Sequence, residues 1–287
     1  MKKHKICKIL LVILAIFLCV AFYELLGICV AYKKQPEVSN TTKKETKNGS
    51  WNECSENTER AVIIEKNPEA LLQRVRLIKN AKKEIILSTF AFQSDESGKL
   101  ILGALHDAAD RGVHIRLLVD GMESWIDMEG NPYFYGLSSH ENVEIKLYNK
   151  ANPLKPWKMM GRMHDKYLIA DGKRYILGGR NTYNYFLGDF PGHKNYDRDV
   201  LVVCDEPEKE NSVNQLLEYF ETIWEQEDSG YFHDNKKLAN RKSVKNAVLE
   251  LQNSYQKYFE ENKERICDTD YTDETFETEK IALVSNP

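Results

Sequence analysis

His164 and Lys166 stand two residues apart in the run His164-Asp165-Lys166-Tyr167-Leu168-Ile169-Ala170-Asp171-Gly172. The apolar stretch reads as a strand, so both side chains leave one face. Asp171-Gly172 supplies a turn, and Tyr175-Ile176-Leu177 reads as the returning strand, ending on Gly178-Gly179-Arg180-Asn181. The glycine pair lets backbone approach a ligand closely, with Asn181 as a short amide beside it. An imidazole, an ammonium and an amide at a glycine-rich corner suit a tetrahedral phosphate. Histidine can attack phosphorus near neutral pH, while Lys166 and Asn181, next to Gly179, donate to the non-bridging oxygens where charge builds up.

The elements that position this corner alternate in type. Ala61–Ile64 reads as a short strand. Pro68 can open a helix whose apolar face carries Leu71, Leu72, Val75, Leu77 and Ile78. Ile85–Phe92 is a strand, Leu100–Arg111 a helix, and Val113–Val119 and Val143–Leu147 two further strands. This order implies an α/β layer with partly parallel pairing. Two helices are expected after it, over Glu206–Glu225 and about Lys242–Arg265, with apolar stripes that suit a core. The loop Asn152–Arg162 combines Pro, Trp, Met and basic residues. Its Trp157 fits either a membrane or phosphate-facing rim or a plug for the core.

The motif and its surroundings resemble the phospholipase D superfamily. The stretch from His164 to Asp171 is similar to that family's H-x-K-x-x-x-x-D motif, and Gly178–Asn181 to the G-G-x-N extension of its cardiolipin synthase-like members. Upstream, Ala81–Phe90, Asp95–Gly98, Ala108–Val113 and Leu117–Gly121 resemble the same group, and downstream so does Asp197–Val202. The resemblance covers roughly residues 60–205. It implies an α/β fold, a mixed β-sheet flanked by helices, forming one phospholipase D-like half. It implies hydrolysis or phosphatidyl transfer on phospholipids, without a cofactor. By the same resemblance His164 is the nucleophile that forms a phosphohistidine, and Lys166 and Asn181 hold phosphoryl oxygens. Asp171 belongs to the motif's catalytic set, where it is expected to fix the turn and local charge pattern rather than to touch substrate, or to serve simply as an Asx-turn residue. Asp197 is the carboxylate expected to orient His164, with Asp199 the alternative. Arg162 and Arg180 flank the site in sequence, and either can pair with acidic neighbours instead.

One departure from the family bears on mechanism. Its enzymes set two motif copies face to face, one histidine attacking and the other protonating the leaving group. This sequence holds one copy: His4, His106, His114, His140, His193 and His233 open no second H-x-K-x-x-x-x-D. A complete site is therefore expected to need a second motif-bearing half or a homodimer partner. The rival readings are a truncated, non-catalytic half and a homodimeric phosphodiesterase or nuclease.

Charge weighs against the nuclease. The 287 residues carry a formal net charge of −4. Residues 1–34 hold six lysines against Glu24, so the rest is acidic, where a nucleic-acid binder usually shows a basic surface. No nucleic-acid partner is expected. The six cysteines, Cys7, Cys19, Cys29, Cys54, Cys204 and Cys267, form no C-x-x-C pair and no zinc-like cluster, so no metal is expected. Cys204 ends an apolar run and reads as a buried small hydrophobe, and a Cys54–Cys267 disulfide is open.

Lys2, Lys3, Lys5 and Lys8 precede Ile9–Tyr32, apolar but for Glu24 and long enough to span a bilayer. Lysines outnumber those after the span, which favours a single-pass anchor in the cell membrane with the body extracytoplasmic. A cleaved signal peptide is the alternative, since Cys19-Val20-Ala21 and Cys29-Val30-Ala31 resemble cleavage sites. The expected organisation is a transmembrane segment over 1–34, a polar linker over 35–59 and the catalytic domain over 60–205. A helical extension over 206–266 follows. Residues 267–287 are expected as an acidic linker ending on a strand, Ile281–Val284, that begins a missing second half.

Overall fold

A computed structural model describes residues 2–33, 40, 43–44, 59–158, 160–204, 211–233, 235–278 and 281–283. Most of the polar 35–59 segment lies outside these residues, as do Cys54 and Val284. Helix α1 runs over Lys2–Lys33. Its apolar side chains are exposed almost throughout, and it is long and apolar enough to cross a membrane.

The body is built on one mixed nine-stranded sheet. Its strands are β1 (Glu59–Ile64), β2 (Glu84–Thr89), β3 (His114–Asp120), β4 (Val143–Tyr148), β5 (Lys166–Ala170), β6 (Arg174–Gly178), β7 (Asp199–Cys204), β8 (Ser229–Tyr231) and β9 (Phe276–Thr278), arranged β8-β4-β3-β2-β5-β6-β7-β1-β9. The pairs β2–β3 and β3–β4 are parallel and the others antiparallel. The parallel pairs follow from crossover helices, since a parallel neighbour needs a long return connection. Helix α3 (Glu96–Asp110) joins β2 to β3, and two short helices, α4 (Gly121–Asp127) and α5 (Pro132–Ser138), join β3 to β4. The periodicity foretold α3 but not α4 and α5, which are too short to show a helical stripe.

Alternation along the strands divides the core. Leu168 and Ala170 of β5 and Leu201 and Val203 of β7 face α2 (Asn67–Asn80), α3, α5 and α7 (Lys242–Glu261). Tyr167, Ile169, Val202 and Cys204 face the other way, onto Val213, Leu216, Phe220 and Trp224 of α6 (Ser212–Trp224). Cys204 is buried as expected. The second long helix breaks at Asn262 into α7 and α8 (Lys263–Cys267).

The acidic tail differs from the solvated linker expected of it. Arg76 of α2 pairs with Asp268 at 3.3 Å and Glu274 at 3.0 Å, and its guanidinium stacks 3.9 Å from the Tyr271 ring centroid. Ile266 and Tyr271 are buried, and β9 adds to the sheet edge beside β1. Asp268 and Glu274 are thus partners for the buried Arg76, which charge counting along the chain cannot reveal. Residues 281–283 form no strand. Ile281 and Leu283 instead lie against the α6 side of the core, and Leu283 N–H donates to Gln215 at 2.9 Å.

Candidate active site

The candidate residues converge where β2, β3 and β4 end and β5 and β7 begin. His164 lies just before β5, in extended chain rather than in the ladder, and Lys166 is the first residue of β5, paired with Thr89. The predicted shared face holds. The Lys166 ammonium sits 3.1 Å from Nδ1 and 3.2 Å from Nε2 of His164, and donates to the His164 carbonyl at 2.8 Å. Asp165 points to the opposite face, where its carboxylate accepts from the Tyr219 hydroxyl of α6 at 2.9 Å. Burial pushes that carboxyl above its ordinary range.

Phe90 and Ala91 close the corner. The Phe90 ring meets the His164 imidazole edge-on at 4.7 Å and lies 5.5 Å from the Lys166 ammonium. The next residue, Ala91, donates its N–H to Asn181 Oδ1 at 3.3 Å, so Asn181 shares the corner with both. Partial burial lowers the His164 pKa, and the Lys166 charge pushes it the same way. Burial also lowers that of Lys166. The imidazole is therefore neutral near pH 7, the form with a lone pair to offer.

The loop before His164 is pinned by Asp120, at the end of β3. Its carboxylate accepts from Arg162 at 2.9 and 3.0 Å and from the Met163 N–H at 3.1 Å, while it also caps α4. Arg162 further pairs with Glu123 at 2.9 Å and stacks on Phe90 at 4.9 Å. From the sequence, Asp120 and Phe90 are read only as members of stretches that resemble the family, without a role, and Glu123 is passed over. The signal for Asp120, an acid directly after an apolar strand, was present but common.

The two glycines carry carboxylates rather than a bare loop. A Cβ on Gly179 would run into the Asp197 carboxylate, and one on Gly178 into Asp199. Asp197 lies on the site side, where its charge acts on Lys166. No hydrogen bond joins it to His164 among the described residues. Asp199 is buried in an ion cluster, 2.9 Å from Arg74 and 3.2 Å from Arg180. Arg180 also donates to Asn67 and to the carbonyls of Ile64 and Glu65. Asp199 and Arg180 thus knit α2 to the sheet: both arginines meet the Oδ2 of Asp199, and its Oδ1 is buried without a hydrogen bond.

Asp171, placed among the catalytic candidates by its position in the motif, lies at the other end of β5, about 16 Å along the strand from Lys166. It adopts φ +54° and accepts backbone N–H groups from Lys82, Lys83 and Glu84 at 2.7–3.1 Å, tying the α2–β2 loop to the β5–β6 turn. Asp171→Ala should therefore destabilise the fold by about 2 kcal/mol, from lost hydrogen bonds to a charged acceptor and a left-handed alanine. Activity per folded molecule should stay within a few-fold. Thermal unfolding beside a turnover assay separates the two, and a large loss of turnover at unchanged stability would return Asp171 to the site.

Comparison with known proteins gives the family of the chain. The profile of the family described as "Cardiolipin synthase, PLD-like domain" matches residues 74–224, and the chain belongs to the phospholipase D superfamily, in its cardiolipin synthase-like branch. An uncharacterized protein of Helicobacter pylori (strain J99 / ATCC 700824) is 30% identical over 212 residues, covering 69% of this chain and 39% of that one. Cardiolipin synthase C of Escherichia coli (strain K12) is 29% identical over 171 residues, covering 55% of this chain and 34% of its own. The chain thus spans about two fifths or less of the length of these relatives. The fold is shared with the phosphatidylserine synthase of Haemophilus influenzae Rd KW20, at a TM-score of 0.51 and 18% identity, over 77% of this chain and 48% of that one.

Proposed function

We propose that this chain is a membrane-anchored phosphodiesterase or phosphatidyltransferase that acts on phospholipids through a phosphohistidine at His164. The observation that carries the reading is the pairing of a neutral, partly exposed imidazole with the Lys166 ammonium, 3.1 Å away, at the open end of the sheet. A phosphate entering this corner would draw the ammonium from the ring onto its own oxygens, freeing a ring nitrogen. That nitrogen attacks phosphorus, the ester P–O bond breaks, and the alkoxide leaves with a proton. Water or an alcohol then attacks the phosphohistidine, giving the acid or a new diester and restoring the imidazole. Lys166 and Asn181 would stabilise the charge on the equatorial oxygens, and Asp197 would hold the charge of Lys166 in balance.

The leaving-group proton needs a second acid. By the logic of the two-motif relatives it would come from a second copy of this chain or a second motif-bearing segment. Phospholipid is the favoured substrate because the cardiolipin synthase family model covers the site and α1 can anchor the domain at a bilayer. The full chain, reconstituted with radiolabelled phosphatidylglycerol, should release phosphatidate or form a transfer product. Absence of both, in the presence of a second copy or half, would remove the reading.

The body is placed outside the cytoplasmic membrane, from the lysine excess before α1. Protease added to intact cells should then remove residues 59–283 while cytoplasmic markers survive. Digestion only after lysis would reverse the orientation.

A further inference from the structure

Five apolar or aromatic side chains beside the site have no partner in the body's core. Trp125 is 63% exposed, Ile126 66%, Leu154 77%, Trp157 45% and Met160 53%, whereas Trp224 of the core is 4% exposed. They come from two separate segments, α4 and the loop before His164; the loop touches α1, and α4 faces α1 across a cavity. The Tyr23 hydroxyl donates to the Leu154 carbonyl at 2.8 Å. Gly27 is buried, and a Cβ there would run into the Pro156 ring, so the helix and the loop touch as closely as only glycine permits. Between them a cavity of about 430 Å³ is walled by Ile28, Met122, Trp125 and Pro153, with Glu24 at its edge. The helix thus turns its one acid and its glycine to the body, and leaves Phe22, Leu25 and Leu26 facing outward.

Depth follows from helix geometry. With Lys8 at one face of a hydrocarbon layer of ~30 Å, twenty residues of helix at about 1.5 Å each bring Ile28 to the other face, with Tyr23 about 7 Å inside it. The segment Tyr23–Ile28 therefore lies near the boundary of acyl chains and headgroups, and whatever touches it lies there too. Tryptophan side chains favour that boundary, since an apolar ring and a polar N–H suit it at once. Contiguous exposed apolar surface otherwise signals an interaction site.

We propose that Trp125, Ile126, Leu154, Trp157 and Met160 form a surface that rests in the interface of the bilayer α1 spans, holding the mouth of the His164 site against that leaflet. The occupant is the lipid interface, because the surface is continuous with the membrane helix docked upon it. The link to the site is short. Glu123, two residues before Trp125, pairs with Arg162, two residues before His164, and Met160 precedes Arg162 by two. A phospholipid would then present its phosphate to His164 without leaving its leaflet. This assignment deepens the proposed function and takes its reading of α1 as a span.

The test uses the full chain in vesicles of phosphatidylglycerol and phosphatidylcholine carrying bromines on the acyl chains. Variants keep one of the four tryptophans, the others being replaced by phenylalanine. Fluorescence of the Trp125-only and Trp157-only proteins should fall at least about twofold relative to unbrominated vesicles, while the Trp224-only protein stays unchanged. Unquenched Trp125 and Trp157 would overturn the proposal. Reached by aqueous iodide, they face water; reached by neither quencher, they are covered by a second copy. In a second arm, Trp125→Ser with Ile126→Ser should lower turnover of vesicle phospholipid about tenfold and leave a soluble aryl phosphodiester unaffected. Equal loss on both substrates also overturns it. If the parent chain turns over neither substrate, the proposed activity fails, while quenching still decides whether the surface meets lipid.

Discussion

His164→Ala should lower phosphodiester turnover by at least ~10³-fold, about 4 kcal/mol of barrier, and should abolish phosphate trapping on the protein. The described neighbours of the imidazole explain why nothing replaces it: Lys166 is a charged ammonium, Phe90 is apolar, and the carboxylate of Asp165 points to the opposite face. Stability should hardly change, since the ring sits exposed at the end of the sheet. The same geometry sets the pH profile of the parent protein. Attack needs the neutral ring, and burial together with Lys166 lowers the imidazole pKa below its ordinary 6.5. Activity should therefore rise with pH through a midpoint below 6.5. Lys166→Met removes the repelling charge, so the residual activity should show that midpoint moved to higher pH. Full activity in purified His164→Ala would end the assignment, and a midpoint unmoved in Lys166→Met would end the electrostatic account.

Asp199→Ala is expected to have the largest effect on folding. It strips the anion from between Arg74 and Arg180, all three buried, and leaves two guanidiniums facing each other without compensation. Removing one partner of such a cluster costs on the order of 3–5 kcal/mol. For a domain of this size that is a fall in Tm of roughly 10 °C. Asp197→Asn makes the contrast, because its carboxylate sits against Gly179 on the site side. That variant should keep the parent Tm and lose turnover. If instead Asp199→Ala unfolds normally and Asp197→Asn melts early, the two acids have been assigned the wrong way round.

Much of the site was legible because its geometry is local. A strand forces His164 and Lys166 onto one side by its period of two, and a turn brings Gly178–Asn181 back beside them. The strands and long helices of the body were legible for the same reason, each carrying its own apolar period. The N-terminal helix, long and apolar enough to cross a membrane, needed only length and composition. Less legible were features that depend on distant partners. Asp171 reads as a site residue by its place in the motif. Its side chain, however, is taken up by the backbone of Lys82–Glu84 at the far end of the strand. The acidic stretch after Cys267 reads as solvated, yet α2 meets it with Arg76.

By itself, then, the sequence determined the chemistry on offer: one imidazole, one ammonium and one amide, set by strand periodicity, on a domain tied to an apolar helix. Only the tertiary structure separated the acids, one beside the Lys166 ammonium and the other buried between two arginines. Asp197 and Asp199 are two apart on one stretch of chain and both lie against glycines, but helix α2 brings Arg74 to Asp199, and Arg180 completes its cage. The role of a charged side chain depends on what neutralises it. That partner comes from another part of the chain, more than a hundred residues away in the case of Arg74 and Asp199.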